Sequence, residues 1–254
     1  TFLKSLPTTA SFSIGEANTR ELVRLRGIDL SLERLHQIAK DFLRENQIAV
    51  EALRKQLVAR YRLPSSTSSY ELQVFLNHTF KVTLPNGRLE DVLDRYQEER
   101  ERILAYIKDH DLFPVFPEQD MKILATPPFM APSIPAGAMF SPPPFREGVK
   151  TSLVYLTLSE ELLDEHTELS IPTMMIHEGI PGHHLQLATA ARHPSIVRRH
   201  QDAMDQAEGW TTMLEDYMLD HGYLDTGVED ARFITKRDIA RIGARVAIDL
   251  FFMT

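Results

Sequence analysis

Residues 177–184 read His-Glu-Gly-Ile-Pro-Gly-His-His, and this stretch constrains the fold more than any other part of the chain. On a regular helix, side chains four residues apart share a face. Side chains six apart are turned by roughly 240°, so His177 and His183 would not meet on an unbroken helix. Pro181 has no N–H to offer the carbonyl of His177, and its ring presses against that carbonyl. Gly182 permits dihedrals that other residues avoid. The spacing therefore predicts a helix interrupted or bulged at Ile180–Gly182, with two extra residues looped out. His183 would then occupy the place that a histidine four residues after His177 normally takes. Such bulges gather at functional sites.

The residue types point to metal chemistry. Zinc takes neutral imidazoles and a carboxylate, and a nearby base can work on its bound water. His177 and His183 are candidate ligands, with His184 the alternative to His183, and Glu178 is the candidate base. A third ligand should come from further along the chain. Met204 to His221 reads as an amphipathic helix, with Trp210, Met213, Leu214, Tyr217 and Met218 on its apolar stripe. Glu208, Thr211, Thr212 and Glu215 recur on another face at spacings of three and four. Glu208 is the leading third ligand. Glu215 reads as a solvated helix carboxylate, with support of a ligand as the alternative, and Trp210 reads as core. Gln186 reads as structural or as a partner of a ligand. Arg241, Arg245 and Asp249 are spaced by four on the last helix. They read as an ion-pair ladder, or else as an arginine reaching a substrate carboxylate or oxyanion.

With these residues in view, the chain resembles the bacterial proteins of the domain of unknown function 885 family, which look like zinc peptidases. The resemblance rests on His177–Gln186 and on Glu208-Gly209-Trp210, with weaker matches at Ser13-Ile14-Gly15 and Arg245–Asp249. It implies His177, His183 and Glu208 as ligands of Zn²⁺ and Glu178 as base. It also implies a mainly α, gluzincin-type architecture with a small β element before the active-site helix. Two departures stand out. Thr211-Thr212-Met213 follow Glu-Gly-Trp where the family usually has Ala-Leu-Tyr. Family members are also generally longer, so the chain reads as a possible fragment.

The 254 residues can bury a substantial core in one large domain or two. A net charge of −8 argues against a general nucleic-acid binder. No run approaches the length of a membrane span, and Thr1-Phe2-Leu3-Lys4 shows no signal peptide. The absence of cysteine excludes thiolate ligands and disulfides.

Residues 1–110 read as a helical region and 111–254 as the metal-site region. Helices are expected over Glu16–Arg26, Leu32–Tyr61 and Leu89–Asp109, and Ser68-Ser69-Tyr70-Glu71 has capping-box spacing. Pro85-Asn86-Gly87 signals a turn. Pro127, Pro128, Pro132, Pro135 and Pro142–Pro144 forbid regular helix and read as an ordered loop near the site. This loop lies between short strands expected at Met121–Thr126 and Thr151–Leu158.

These features together lead to the expectation of a zinc-dependent hydrolase of peptide or related amide bonds. Glu178, His184 and Arg245 are its candidate catalytic groups, and His177, His183 and Glu208 its metal ligands. Two rival readings remain: a non-catalytic binding module, and a metal-dependent hydrolase of esters or small amides.

Overall fold

A computed structural model of the chain describes residue 5 and residues 13–134, 136–201 and 203–254. Thr1–Lys4 and Pro135 lie outside the described residues. The architecture is mainly helical, with one small three-stranded sheet. The helices are α1 (Glu16–Leu25), α2 (Leu32–Arg60), α3 (Ser69–Thr79), α4 (Asp91–Asp109), α5 (Ser170–Met174), α6 (His183–Ala190), α7 (Ile196–His200), α8 (Met204–Asp220) and α9 (Val228–Met253). The strands are β1 (Gln119–Ala125), β2 (Gly137–Phe140) and β3 (Lys150–Leu156). No described helix is long and apolar enough to cross a membrane.

The chain forms two compact units, with limits other than residue 110. The first joins the N-terminal stretch, up to Gln56, to Lys236–Thr254. There the backbone N–H groups of Ile14 and Gly15 donate to Met253 O at 3.1 and 3.0 Å. At Gly243 the backbones approach closely: a Cβ would come 2.9 Å from Ala39 O.

The second unit, Leu57–Thr235, holds the large core. α4 supplies Val92, Tyr96, Ile103 and Ile107 to it at helical spacing. Glu99 sits in the same buried stripe. Its charge is matched by Arg95 at 2.9 Å and Arg102 at 2.8 Å, and Tyr223 Oη donates to it at 2.5 Å. α3 begins with the expected capping box: Ser68 Oγ accepts from Glu71 N–H while the Glu71 carboxylate accepts from Ser68 N–H. At the expected turn, Asp91 accepts from the backbone and side-chain amides of Asn86.

The sheet runs β1-β3-β2, with β1 parallel and β2 antiparallel to the central β3. Alternate residues of β3, Lys150, Ser152, Val154 and Leu156, are buried, as the two-residue period of a strand requires. β2 interrupts the proline-rich loop, where the sequence showed no strand. Its four residues form by pairing with β3 in the register Ala138↔Tyr155 and Met139↔Val154. Among the described residues β2 has one strand neighbour, β3, and so lies at an edge of the sheet.

Candidate metal centre

α5 enters the site by widening, not by stopping. Residues Met175–Gly179 form a π turn that carries His177 and Glu178. Ile180 is then extended (φ −121°, ψ 127°), the Ile180–Pro181 bond is cis, and α6 begins at His183. The interruption falls where the proline and glycine placed it, but the distortion begins earlier, at Met175. Gly182 is required by space. A Cβ there would fall on the carbonyl oxygens of Ile176 and His177. Trp210 of α8 tethers the loop, its indole N–H donating to Pro181 O at 3.1 Å.

This path brings the two histidine rings to 4.9 Å between centroids, edge to face. Glu208, on the first turns of α8, lies between them. One oxygen is 3.6 Å from His177 Nε2 and the other 3.6 Å from His183 Nε2. One ligand atom from each of the three residues falls within 4.8 Å of the others. Tetrahedral zinc, with bonds of about 2.0–2.1 Å, sets its ligand atoms roughly 3.4 Å apart. The donor set and its spacing therefore fit zinc with slight contraction.

The surrounding groups prepare these donors. Glu215 accepts the Nδ1–H of His177 at 2.7 Å, which turns Nε2 towards the cluster. Thr211 Oγ1 lies 3.2 Å from that Nε2 and also donates to Glu208 O at 3.0 Å. Burial alone would lower the His177 pKa. Its hydrogen bonds with Glu208 and Glu215 outweigh burial and raise it to about 10. Burial, and then the charge on His177, push His183 down, so that it is the neutral imidazole of the pair. Hydrogen bonding to His177 holds Glu208 below the usual carboxylate range. Glu178 moves the other way. Burial raises its pKa against the opposing pull of His177, with the backbone amide of Met139 a weaker opposing influence.

His184, the alternative ligand and a candidate catalytic group in the sequence, is placed away from the cluster of His177, His183 and Glu208. It is fully buried, with Nδ1 2.7 Å from Ser152 Oγ and Nε2 2.6 Å from Gln119 Oε1. Both ring nitrogens are thus committed to the sheet. Burial, reinforced by Arg100, drives its pKa down to about 4, and the ring is neutral. Consecutive helical residues lie about 100° apart, so His183 faces the cleft and His184 faces β1 and β3. Arg245 is exposed on the first unit's part of α9, and Arg241 pairs with Asp238 rather than along the expected ladder. Gln186 Oε1 is buried without a hydrogen-bond partner. From the sequence Glu215 reads as a solvated carboxylate; in the structure it takes the supporting role, accepting from His177.

The cluster opens on a cleft of about 320 Å³. β2 and Ser141 form one wall, and Leu187, Ala203, Met204 and Ala207 form others.

The family model described as bacterial protein of unknown function (DUF885) matches residues 1–253. Two solved structures share the fold. The "putative lipoprotein" from Colwellia psychrerythraea matches with a TM-score of 0.79 at 18% identity, over 97% of this chain and 42% of that one. The "putative lipoprotein of unknown function" from Shewanella oneidensis matches with a TM-score of 0.72 at 20% identity, over 98% of this chain and 45% of that one. The chain thus spans less than half the length of either. No curated protein matches it.

Proposed function

The chain belongs to the DUF885 family of bacterial proteins, and from that premise we propose that it is a zinc-dependent hydrolase of peptide or related amide bonds, built on a gluzincin-type plan. The observation that carries this reading is the convergence of His177, His183 and Glu208, with Glu178 beside them in the same cleft. Zinc bound there would activate a water molecule and polarise a substrate carbonyl. The chain's own groups supply the remaining steps. Glu215 orients His177 and burial keeps His183 neutral, so His183 presents a lone pair and His177 does so once zinc displaces its Nε2 proton. Glu178 lines the cleft beside the cluster. A carboxylate with a raised pKa suits a base that takes the water's proton and returns it to the departing amine nitrogen.

Glu178→Gln tests this directly. The variant should retain zinc and lose about 10²–10⁴ in peptide hydrolysis, the range for a positioned acid–base group. Turnover equal to wild type in zinc-loaded Glu178→Gln would sink the assignment.

A further inference from the structure

This acidic chain carries a basic face, built from two segments of the second unit. Residues 141–150 run from β2 into β3, and residues 191–202 link α6 to α8. Together they hold five Arg or Lys residues against two acids, Glu147 and Asp202, a net charge of +3. The chain as a whole carries −8, so the remainder carries −11.

The two segments touch. The His200 ring packs on Phe145, with centroids 5.9 Å apart and planes at 28°. The Arg199 guanidinium lies 5.6 Å from the centre of the same ring, within cation–π range, and its Nε–H donates to Ala191 O at 3.1 Å. On α7, Ile196 precedes Arg199 and His200 by three and four residues, so it shares their side of the helix. The loop that presents Phe145 is braced. Pro142, Pro143 and Pro144 fix the backbone ahead of it. Behind it Gly148 reverses the chain at φ +79°, and Lys150 Nζ donates to Arg146 O.

The apolar groups on this face are held out. Ile196 and Val197 are 67% and 68% exposed, and Phe145 and Val149 are each more than half exposed. Single exposed apolar residues are ordinary. Four of them on two contacting segments, set among arginines, match the interface of an anionic bilayer. There the headgroup phosphates meet the guanidinium groups and the apolar tips enter the acyl boundary. A nucleic acid would match the charge and leave Ile196 and Val197 in water. The same bilayer repels the negative remainder of the chain, which selects this face. Ser141 at one end of the patch, and Ala203 and Met204 at the other, also line the metal cleft.

We propose that this face docks the protein on an anionic lipid surface, with Phe145, Ile196 and Val197 entering the headgroup layer and Arg146, Arg198 and Arg199 meeting lipid phosphates. Docking brings the rim of the metal cleft to the membrane. It needs neither zinc nor turnover, so it stands or falls apart from the hydrolase reading.

The test mixes the whole chain with vesicles of phosphatidylcholine, alone or with about 30% phosphatidylglycerol, and reads the bound fraction after sedimentation. Binding to the anionic vesicles should exceed binding to the neutral ones by about tenfold or more, and should fall as salt rises to about 1 M. Arg198→Glu combined with Arg199→Glu should weaken it by about tenfold or more. Ile196→Ser combined with Val197→Ser should weaken it severalfold with the charge unchanged. Thermal unfolding of each variant separates a lost surface from a lost fold. The chain has no cysteine, so Ile196→Cys offers a single thiol for an environment-sensitive dye. Its emission should shift to the blue on anionic vesicles, whereas a dye at Val74→Cys, exposed on α3, should not respond. No preference for the anionic vesicles, or a preference indifferent to both double variants, would overturn the proposal. So would a dye at Ile196→Cys that stays in water. Polyglutamate that displaces the protein from the vesicles at lower charge concentration would overturn it as well, and would mark the face as a site for an acidic polypeptide.

Discussion

At the scale of single residues, one proton decides the behaviour of the centre. His177 carries it in the metal-free chain, because Glu208 and Glu215 both bond to the ring. A ligand must be neutral, so zinc has to displace that proton. The folded pKa of about 10 lies above the ordinary value of 6.5. Affinity should therefore rise with pH, by close to tenfold per unit between about pH 7 and 9, and flatten above 10. Calorimetry at pH 7.5 in buffers of different ionisation enthalpy should record close to one proton released per zinc. The same uptake without proton release would mean that His177 is not a ligand. The His177 and His183 pair was legible in the sequence, since Pro181 and Gly182 announce the loop that brings them together. The commitments of His184 and Glu215 were not. Adjacent imidazoles look alike until the helix turns one towards Ser152 and Gln119. Glu215 reads as any helix carboxylate until a separate segment delivers His177 to it.

At the scale of elements, the site depends on one break in one helix. Gly182 has its α-hydrogen where a methyl group would strike the carbonyls of Ile176 and His177. Gly182→Ala must push the loop outward and carry His183 with it. It should cost several kcal/mol, as overpacking and a displaced backbone together do, and should weaken zinc by more than tenfold. Denaturant unfolding and zinc titration check the two effects. A variant as stable as wild type with unchanged zinc affinity would show that His183 owes nothing to this loop. Most of the helices could be read from periodicity and caps. α1, α2, α4 and α8 end within two residues of their expected limits. β1 and β3 each begin within two residues of the expected start; Thr151, Val154 and Tyr155 mark β3, and Ile123 is the β-branched residue of β1. β2 escaped because Gly-Ala-Met-Phe has no strand signature of its own, and its partner β3 imposes the pairing. The edge of the cleft was therefore the least legible part of the site.

At the scale of the molecule, local pattern and compactness part company. Residue 110 marks where helices give way to strands, which is a change of local structure. The compact units follow long-range contacts that no local pattern carries. In the second unit Arg60 pairs with Asp230 and Tyr61 donates to the same carboxylate at 2.8 Å. Within that unit the metal ligands come from either side of the Ile180–Gly182 loop and from α8. Zinc should accordingly stabilise the folded state. At a free concentration one hundred times its dissociation constant the gain is about 2.7 kcal/mol, visible as a rise in Tm that a chelator reverses. His183→Ala should abolish that rise.

The measurement that bears most directly on the hydrolase reading is metal content by mass spectrometry, on protein purified without a metal-affinity tag. Wild type would be compared with His177→Ala, Glu178→Gln and His184→Gln. About one zinc per chain in wild type, Glu178→Gln and His184→Gln, and none in His177→Ala, is the expected result. Wild type that carries no zinc and takes up none when it is supplied would contradict the proposed centre and favour a non-catalytic binding module.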